Sequence, residues 1–377
     1  MTEEVAAACS ALMRCSDDVL IALFARAPLA SRRAICASSR RLHAIVNSAG
    51  FVEERRPFAE SVLVVAGGFR SELLHASDDC WMLRGERWRR TARLLDARTW
   101  ACATVFEGEL WVVGGYNDRH LAAPPLSHIA PRAERAREPG TFVAALDCRT
   151  GEWRRRPPLA ERRTNAVCGV VGGRLVVAGG QNHDDPAGER PALASVAAYC
   201  PGDGCWTALP PLPRAVEQAT ACVVDGRLYV AGGADSDALQ VFDGAAWSLR
   251  ARLPARRFGA ASAACDGKLM VIGGRVLDAA GDGPQDTTTV LLYDPARDRW
   301  EPGAPLPAPR FQCRACAHRG QIVVIGGSEG EPPCAYRDGA WRPFFRPSVP
   351  RASGFSCEDD TPSRYVYAPG MGSVVLG

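Results

Sequence analysis

The chain has 377 residues, 45 Lys plus Arg against 42 Asp plus Glu, a formal charge of +3 and 47% apolar residues. That balance is too small to mark a nucleic-acid surface, and no basic stripe with interleaved aromatics appears. No apolar run approaches the roughly 18 residues of a membrane-spanning helix, so neither nucleic acid nor membrane is an expected partner.

Cysteine number is odd, at 15, and the opening Met-Thr-Glu-Glu is acidic rather than a secretory leader. Reduced thiols and a cytoplasmic or nuclear setting are the expectation. Basic charge is almost entirely arginine, with Lys268 the single lysine.

Residues 1–13 read as a tail, and residues 14–56 carry a helical pattern. Ser16 caps a first helix, with Asp17 and Asp18 at the positive end of its dipole. Val19, Leu20, Leu23, Phe24 and Ala27 then fall on one face until Pro28 breaks the run. Ser31 caps a second helix, with Ile35, Leu42, Ile45 and Val46 inward and Arg32, Arg33, Arg40 and Arg41 outward. So short an all-α segment buries too little to stand alone and calls for a partner. The stretch 17–24 (DDVLIALF), the break at 28–31 (PLAS) and the closing 39–42 (SRRL) resemble an F-box. That resemblance implies docking on a Skp-type adaptor, with a cullin beyond it, through Leu20, Leu23, Phe24, Pro28, Ile35 and Leu42.

After a charged linker at 53–60, one phrase is repeated. DGKLMVIGG at 266–274 returns as RGQIVVIGG at 319–327, DGRLYVAGG at 225–233, GGRLVVAGG at 172–180 and EGELWVVGG at 107–115, with a shortened SVLVVAGG at 61–68. A period on the order of 40–50 residues signals a propeller or solenoid. Each copy reads as a tight hairpin turn, a strand buried on both faces, and two glycines where side chains do not fit. An apolar strand precedes each turn. Downstream come a third strand and a fourth bearing a tryptophan: Trp88, Trp153, Trp206, Trp247, Trp300 and Trp341. Regular recurrence assigns the tryptophans to packing between units.

Four strands in each of six units predict an all-β, six-bladed β-propeller over residues 57–377, preceded by the small all-α segment. The blades fall near 61–95, 98–157, 163–211, 216–252, 257–304 and 310–345. The recurring order of Arg, paired strands ending in Gly-Gly, an aromatic or apolar residue with Asp, and Trp resembles the kelch repeat. Blade one lacks a clear first strand. Residues 350–377 are expected to supply it, with 351–357 as first strand and 364–370 as a damaged second; a partial seventh blade is the competing reading.

Insertions at 116–140, 181–192 and 275–287 follow three glycine pairs and read as mobile loops. Ten residues before each turn glycine stand Arg98, Arg163, Arg257 and Arg310, with Val216 at the blade-four position. Strand alternation brings them to the same mouth as the insertions. A ring of arginine there suits an acidic or phosphorylated partner; the competing reading pairs each one with a neighbouring carboxylate or carbonyl. The kelch resemblance implies ligand contact at this position. Tyr116, Asn117, Gln181, Asn182, Arg275, Ser328 and Glu329 follow the glycines on the same face.

No metal site is expected. His120 and His128 lie in the insertion at 116–140 and His183 in that at 181–192, and Cys313 and Cys316 point to opposite faces of a strand. No cofactor motif and no nucleophile–base pair stands out, so the expected protein is non-catalytic. The two resemblances together imply the substrate-recognition subunit of an SCF-type cullin–RING ubiquitin ligase, whose propeller holds a target protein. The alternative is a kelch scaffold, such as a cytoskeletal adaptor, outside the ubiquitin pathway.

Overall fold

The turn dipeptides decide where each hairpin forms. Asp225 and Gly226 take φ of 47° and 73°, and Asp266 and Gly267 take 50° and 71°. Two consecutive left-handed residues make the turn whose twist matches paired strands. The computed structural model describes residues 62–70, 75–84, 87–117, 140–148, 150–182, 190–277, 283–327, 331–344, 367–368 and 372–376. The chain divides into two units, residues 1–61 with 377 and residues 62–376. The F-box-like stretch and its six proposed adaptor contacts lie outside the described residues.

Six four-stranded antiparallel sheets form the second unit. In blade four, for instance, Thr220–Val224, Arg227–Ala231, Leu239–Phe242 and Trp247–Arg250 lie side by side in chain order. Burial falls outward across the blade. Leu228 and Val230 in the second strand are 0% exposed, whereas most of Trp247–Arg250 faces solvent. Neighbouring blades cover both faces of the second strand, and this is why its sequence is continuously apolar rather than alternating.

The innermost strands of blades two to six are Cys102–Phe106, Val167–Val171, Thr220–Val224, Ala261–Cys265 and Arg314–His318. Each lies beside the next. Gly372–Leu376 sits between the last and the first, so the six form a closed ring. The core is correspondingly split into six clusters between blades. Val64 and Met82 of blade one meet Val112 and Leu146 of blade two, and at the far side Val65 and Trp81 meet Val323 and Ile325 of blade six.

Residues 350–377 do supply the inner strand of blade one, but a different part of them from the one the sequence pattern suggests. The inner strand of blade one is Gly372–Leu376, antiparallel to Val62–Ala66, with Leu376 opposite Val62 and Gly372 opposite Ala66. Residues 351–357 lie outside the described residues. Tyr367–Ala368 pairs instead with Phe69–Arg70 in a small three-stranded sheet completed by His75–Ala76.

The insertion at 275–287 also differs, because part of it is strand. Arg275–Leu277 pairs with Arg257–Phe258 on one side and Pro284–Asp286 on the other. Of the other two insertions, 118–139 and 183–189 lie outside the described residues.

Candidate partner-binding face and central channel

Five of the six glycine pairs meet the carbonyl of the arginine position in the following blade. Gly68 donates its N–H to the Arg98 carbonyl, Gly115 to Arg163, Gly180 to Val216, Gly233 to Arg257 and Gly274 to Arg310, at 2.6–2.9 Å. A Cβ on Gly273 would stand 2.7 Å from the Arg310 carbonyl oxygen, and its φ of +61° adds to the demand for glycine.

The arginine side chains then reach across their own blade. Arg163 Nη1 donates to the Gly179 carbonyl at 3.0 Å and the Ser195 carbonyl at 2.6 Å. Its Nη2 donates to Glu161 and to the Ser195 hydroxyl. Arg257 donates to the Gly273 and Thr289 carbonyls and the Thr289 hydroxyl. Arg310 donates to the Gly326 and Pro332 carbonyls. Arg98 pairs with Asp96 at 2.7 Å and lies 3.9 Å over the Phe142 ring.

Exposure of the four is 1%, 3%, 5% and 1% for Arg98, Arg163, Arg257 and Arg310. This corrects the expectation that they line an open mouth. They clamp each blade to itself by side chain and to its predecessor by backbone. Burial pushes the Arg163 guanidinium below its ordinary value, partly offset by Glu161, and pushes Arg257 down with no carboxylate beside it. In blade four, where Val216 has no such reach, buried Gln240 accepts from the Arg214 N–H and donates to the Arg214 carbonyl.

The other expected face residues divide. Tyr116 exchanges backbone hydrogen bonds with Thr99 and stacks on Trp100 with ring centroids 6.0 Å apart. Asn117 is buried at 7% exposure and donates to Asp96. Gln181 exchanges backbone bonds with Thr164 and donates its side-chain amide to the Arg190 carbonyl; Gln181 and Asn182 are both partly exposed. Arg275 pairs with Asp286 at 2.7 Å and lies 4.1 Å over the Phe311 ring. Ser328 and Glu329 lie outside the described residues, as do His120, His128 and His183.

A second ring escaped the sequence reading. Two residues beyond each arginine position stand Trp100, Asn165, Gln218, Gly259 and Gln312, all left-handed, with φ between 53° and 59°. Their peptide groups join head to tail: Asn165 donates to Trp100, Gln218 to Asn165, Gly259 to Gln218 and Gln312 to Gly259, at 2.6–3.3 Å. Four non-glycine residues held left-handed in register mark a place where structure over-determines the backbone, as functional rims often do. The arginine register gives their spacing, but their side chains share no type that would mark them in the sequence. The rim and the innermost strands beneath it line an open central cavity of about 130 Å³.

Cys313 packs in the cluster between blades five and six, and Cys316 against the cluster between six and one, so the two thiols do point apart. Among the described residues no group of three or more His, Cys, Asp or Glu is placed to hold a metal.

Six blades, cores between them and a closed inner ring define a β-propeller. Residues 162–213 and 256–307 each match the Kelch motif, so two of the repeats are recognisably kelch. The chain is 25% identical over 280 residues to Kelch-like protein 35 of Mus musculus, covering 72% of this chain and 42% of that protein. It is 26% identical over 266 residues to beta-scruin of Limulus polyphemus, covering 67% and 27%. It is 28% identical over 253 residues to Kelch-like protein 34 of Homo sapiens, covering 64% and 36%. The chain thus spans well under half the length of these relatives. The solved structure of YjhT shares the fold, with a TM-score of 0.57 at 14% identity over 74% of this chain and 96% of that one.

Proposed function

We propose that this chain is a non-catalytic protein-recognition subunit whose propeller takes a partner on the face carrying the glycine pairs. The observation behind this is the concentration of partly exposed Trp100, Tyr116, Asn165, Gln181, Gln218 and Arg275 on one rim, over blades locked by buried arginines. Side chains held on a rigid base bind with little ordering cost.

Residues 14–56 supply the second half of the proposal. Their F-box resemblance makes the chain the substrate receptor of an SCF-type cullin–RING ubiquitin ligase, docking a Skp-type adaptor while a target protein occupies the rim. Catalysis then belongs to other subunits. A chain whose single lysine, Lys268, is engaged by Glu301 and Asp294 at 3.5 and 3.8 Å offers few sites for its own modification. A kelch scaffold outside the ubiquitin pathway is the second reading. It is favoured by Cys15-Ser16, which stand where the F-box pattern usually has Leu-Pro.

A pull-down with Skp-type adaptor separates the two, using wild type and the Leu23→Asp, Phe24→Asp double variant. Charge on the expected apolar face is costly to bury. Capture of wild type and loss of the variant, with the propeller still folded, supports the receptor. Capture of neither leaves the scaffold.

A further inference from the structure

Arg314 opens the innermost strand of blade six and lines the central cavity. Blades two to five line it too, with Cys102, Asn165, Cys168, Thr220 and Ser262 among their contributions, and no Asp or Glu is present among the described lining residues. Among the described residues the guanidinium makes one hydrogen bond, from Nη1 to the adjacent Cys313 carbonyl at 3.2 Å, and no ion pair. Burial pushes it below its ordinary value, the opposite of what a neighbouring carboxylate would do, and the nearby ionisable groups are the thiols of Cys313, Cys102 and Cys168. The buried clamps satisfy their cations on carbonyls and carboxylates; Arg314 lines the cavity with four further N–H donors that have no hydrogen bond among the described residues.

The rest of the lining carries both donors and acceptors. Thr220 donates its hydroxyl to Ser262 Oγ at 2.6 Å, leaving the Ser262 proton available. Gln218 and Gln312 line the same cavity, and the Oε1 atom of each is buried without a hydrogen-bond partner. A cavity of about 130 Å³ is several times the roughly 10–15 Å³ that one water needs, yet too small for a folded peptide segment.

We propose that the central cavity binds a small inorganic oxyanion on Arg314, and that hydrogen phosphate, which carries both accepting oxygens and a donating hydroxyl, is the form that fits its lining. The anion neutralises a cation that has no ion pair among the described residues, and ties blade six to the blades across the channel. It therefore stabilises the closed ring by mass action. Trp100, Asn165 and Gln218 line this cavity as well as the proposed partner-binding rim, whereas the adaptor reading has no part in it.

The test is thermal unfolding of the full chain across a phosphate titration, with ionic strength held constant by sodium chloride. Wild type is expected to show a saturable rise in midpoint, larger for phosphate than for sulfate, which has no proton to donate at neutral pH. Arg314→Gln is expected to weaken phosphate binding at least tenfold by calorimetry and to abolish the saturable rise. Absence of saturation in wild type, or an equal response in Arg314→Gln, overturns the proposal and leaves non-specific salt effects only. An equal response to sulfate overturns the assignment of hydrogen phosphate. Should Arg314→Gln fail to fold, Ser262→Asp places a carboxylate in the same cavity. It is expected to make the midpoint insensitive to phosphate, and a wild-type response from it overturns the site.

Discussion

The indole Nε1 of Trp206 donates to the carbonyl of Pro157 at 2.8 Å, and that bond crosses from blade three to blade two. Trp153 reaches Ala92, Trp247 reaches Pro210, Trp300 reaches Ala251 and Trp341 reaches Ala304 in the same way, at 2.8–3.0 Å. In blades two to six one side chain per blade thus fixes the spacing to its predecessor. Trp206→Phe keeps an aromatic ring against Tyr199 but removes the donor, and is expected to cost about 1 kcal/mol. Urea unfolding measures it; an unchanged midpoint would show that the bond contributes nothing.

Arg257→Ala removes three hydrogen bonds from a buried cation and leaves two carbonyls and a hydroxyl to find other partners. A loss of about 3 kcal/mol is expected. Arg214→Ala, at an exposed side chain two residues from the equivalent position in blade four, is expected to stay within about 0.5 kcal/mol of wild type. Equal losses at the two sites would contradict the clamp.

Glu217 titrates in the direction opposite to a salt-bridged acid. Burial first, and Asp235 second, raise its carboxyl above the ordinary value, and its Oε2 is buried without a partner. A folded-state pKa above the unfolded one means the folded chain binds more protons. The contribution to stability is therefore present below the unfolded pKa and lost as pH rises through the folded one. Glu217→Gln is expected to raise the unfolding midpoint at pH 7, with the advantage shrinking toward zero near pH 4. A constant offset across that range would place the effect in packing rather than charge.

Deleting residues 372–376 removes the inner strand of blade one and bares the edge of Val62–Ala66. The expected product self-associates and loses a single cooperative transition, seen by size-exclusion chromatography and circular dichroism. A monomer that melts like wild type would mean the strand is dispensable.

The blades were legible in the sequence because each hairpin is written locally. Asp225-Gly226 makes the turn, the apolar run makes the doubly covered strand, and Gly232-Gly233 meets the next blade. The tryptophans were legible for the same reason, since one per repeat can only serve the repeat. What the sequence did not disclose involves distance or direction. Gly372–Leu376 carries neither the arginine nor the turn that marks the other inner strands, and its partner Val62–Ala66 lies at the opposite end of the propeller sequence. The register placed Arg163 and Arg257 on the right face, but not whether their side chains would leave the blade or fold back onto Gly179 and Gly273. The rim at Trp100, Asn165, Gln218 and Gln312 hid behind side-chain variety, because the shared property is a backbone angle.

Pairing of Gly372–Leu376 with Val62–Ala66 also sets an order of events at the ribosome. Blades two to six are each contiguous in the chain and can assemble as they emerge, but blade one waits with an open edge for a strand translated after all the others. Through most of synthesis the nascent chain is an unclosed arc. Until residues 372–376 have been made, the edge of Val62–Ala66 lacks the strand that pairs with it in the closed ring.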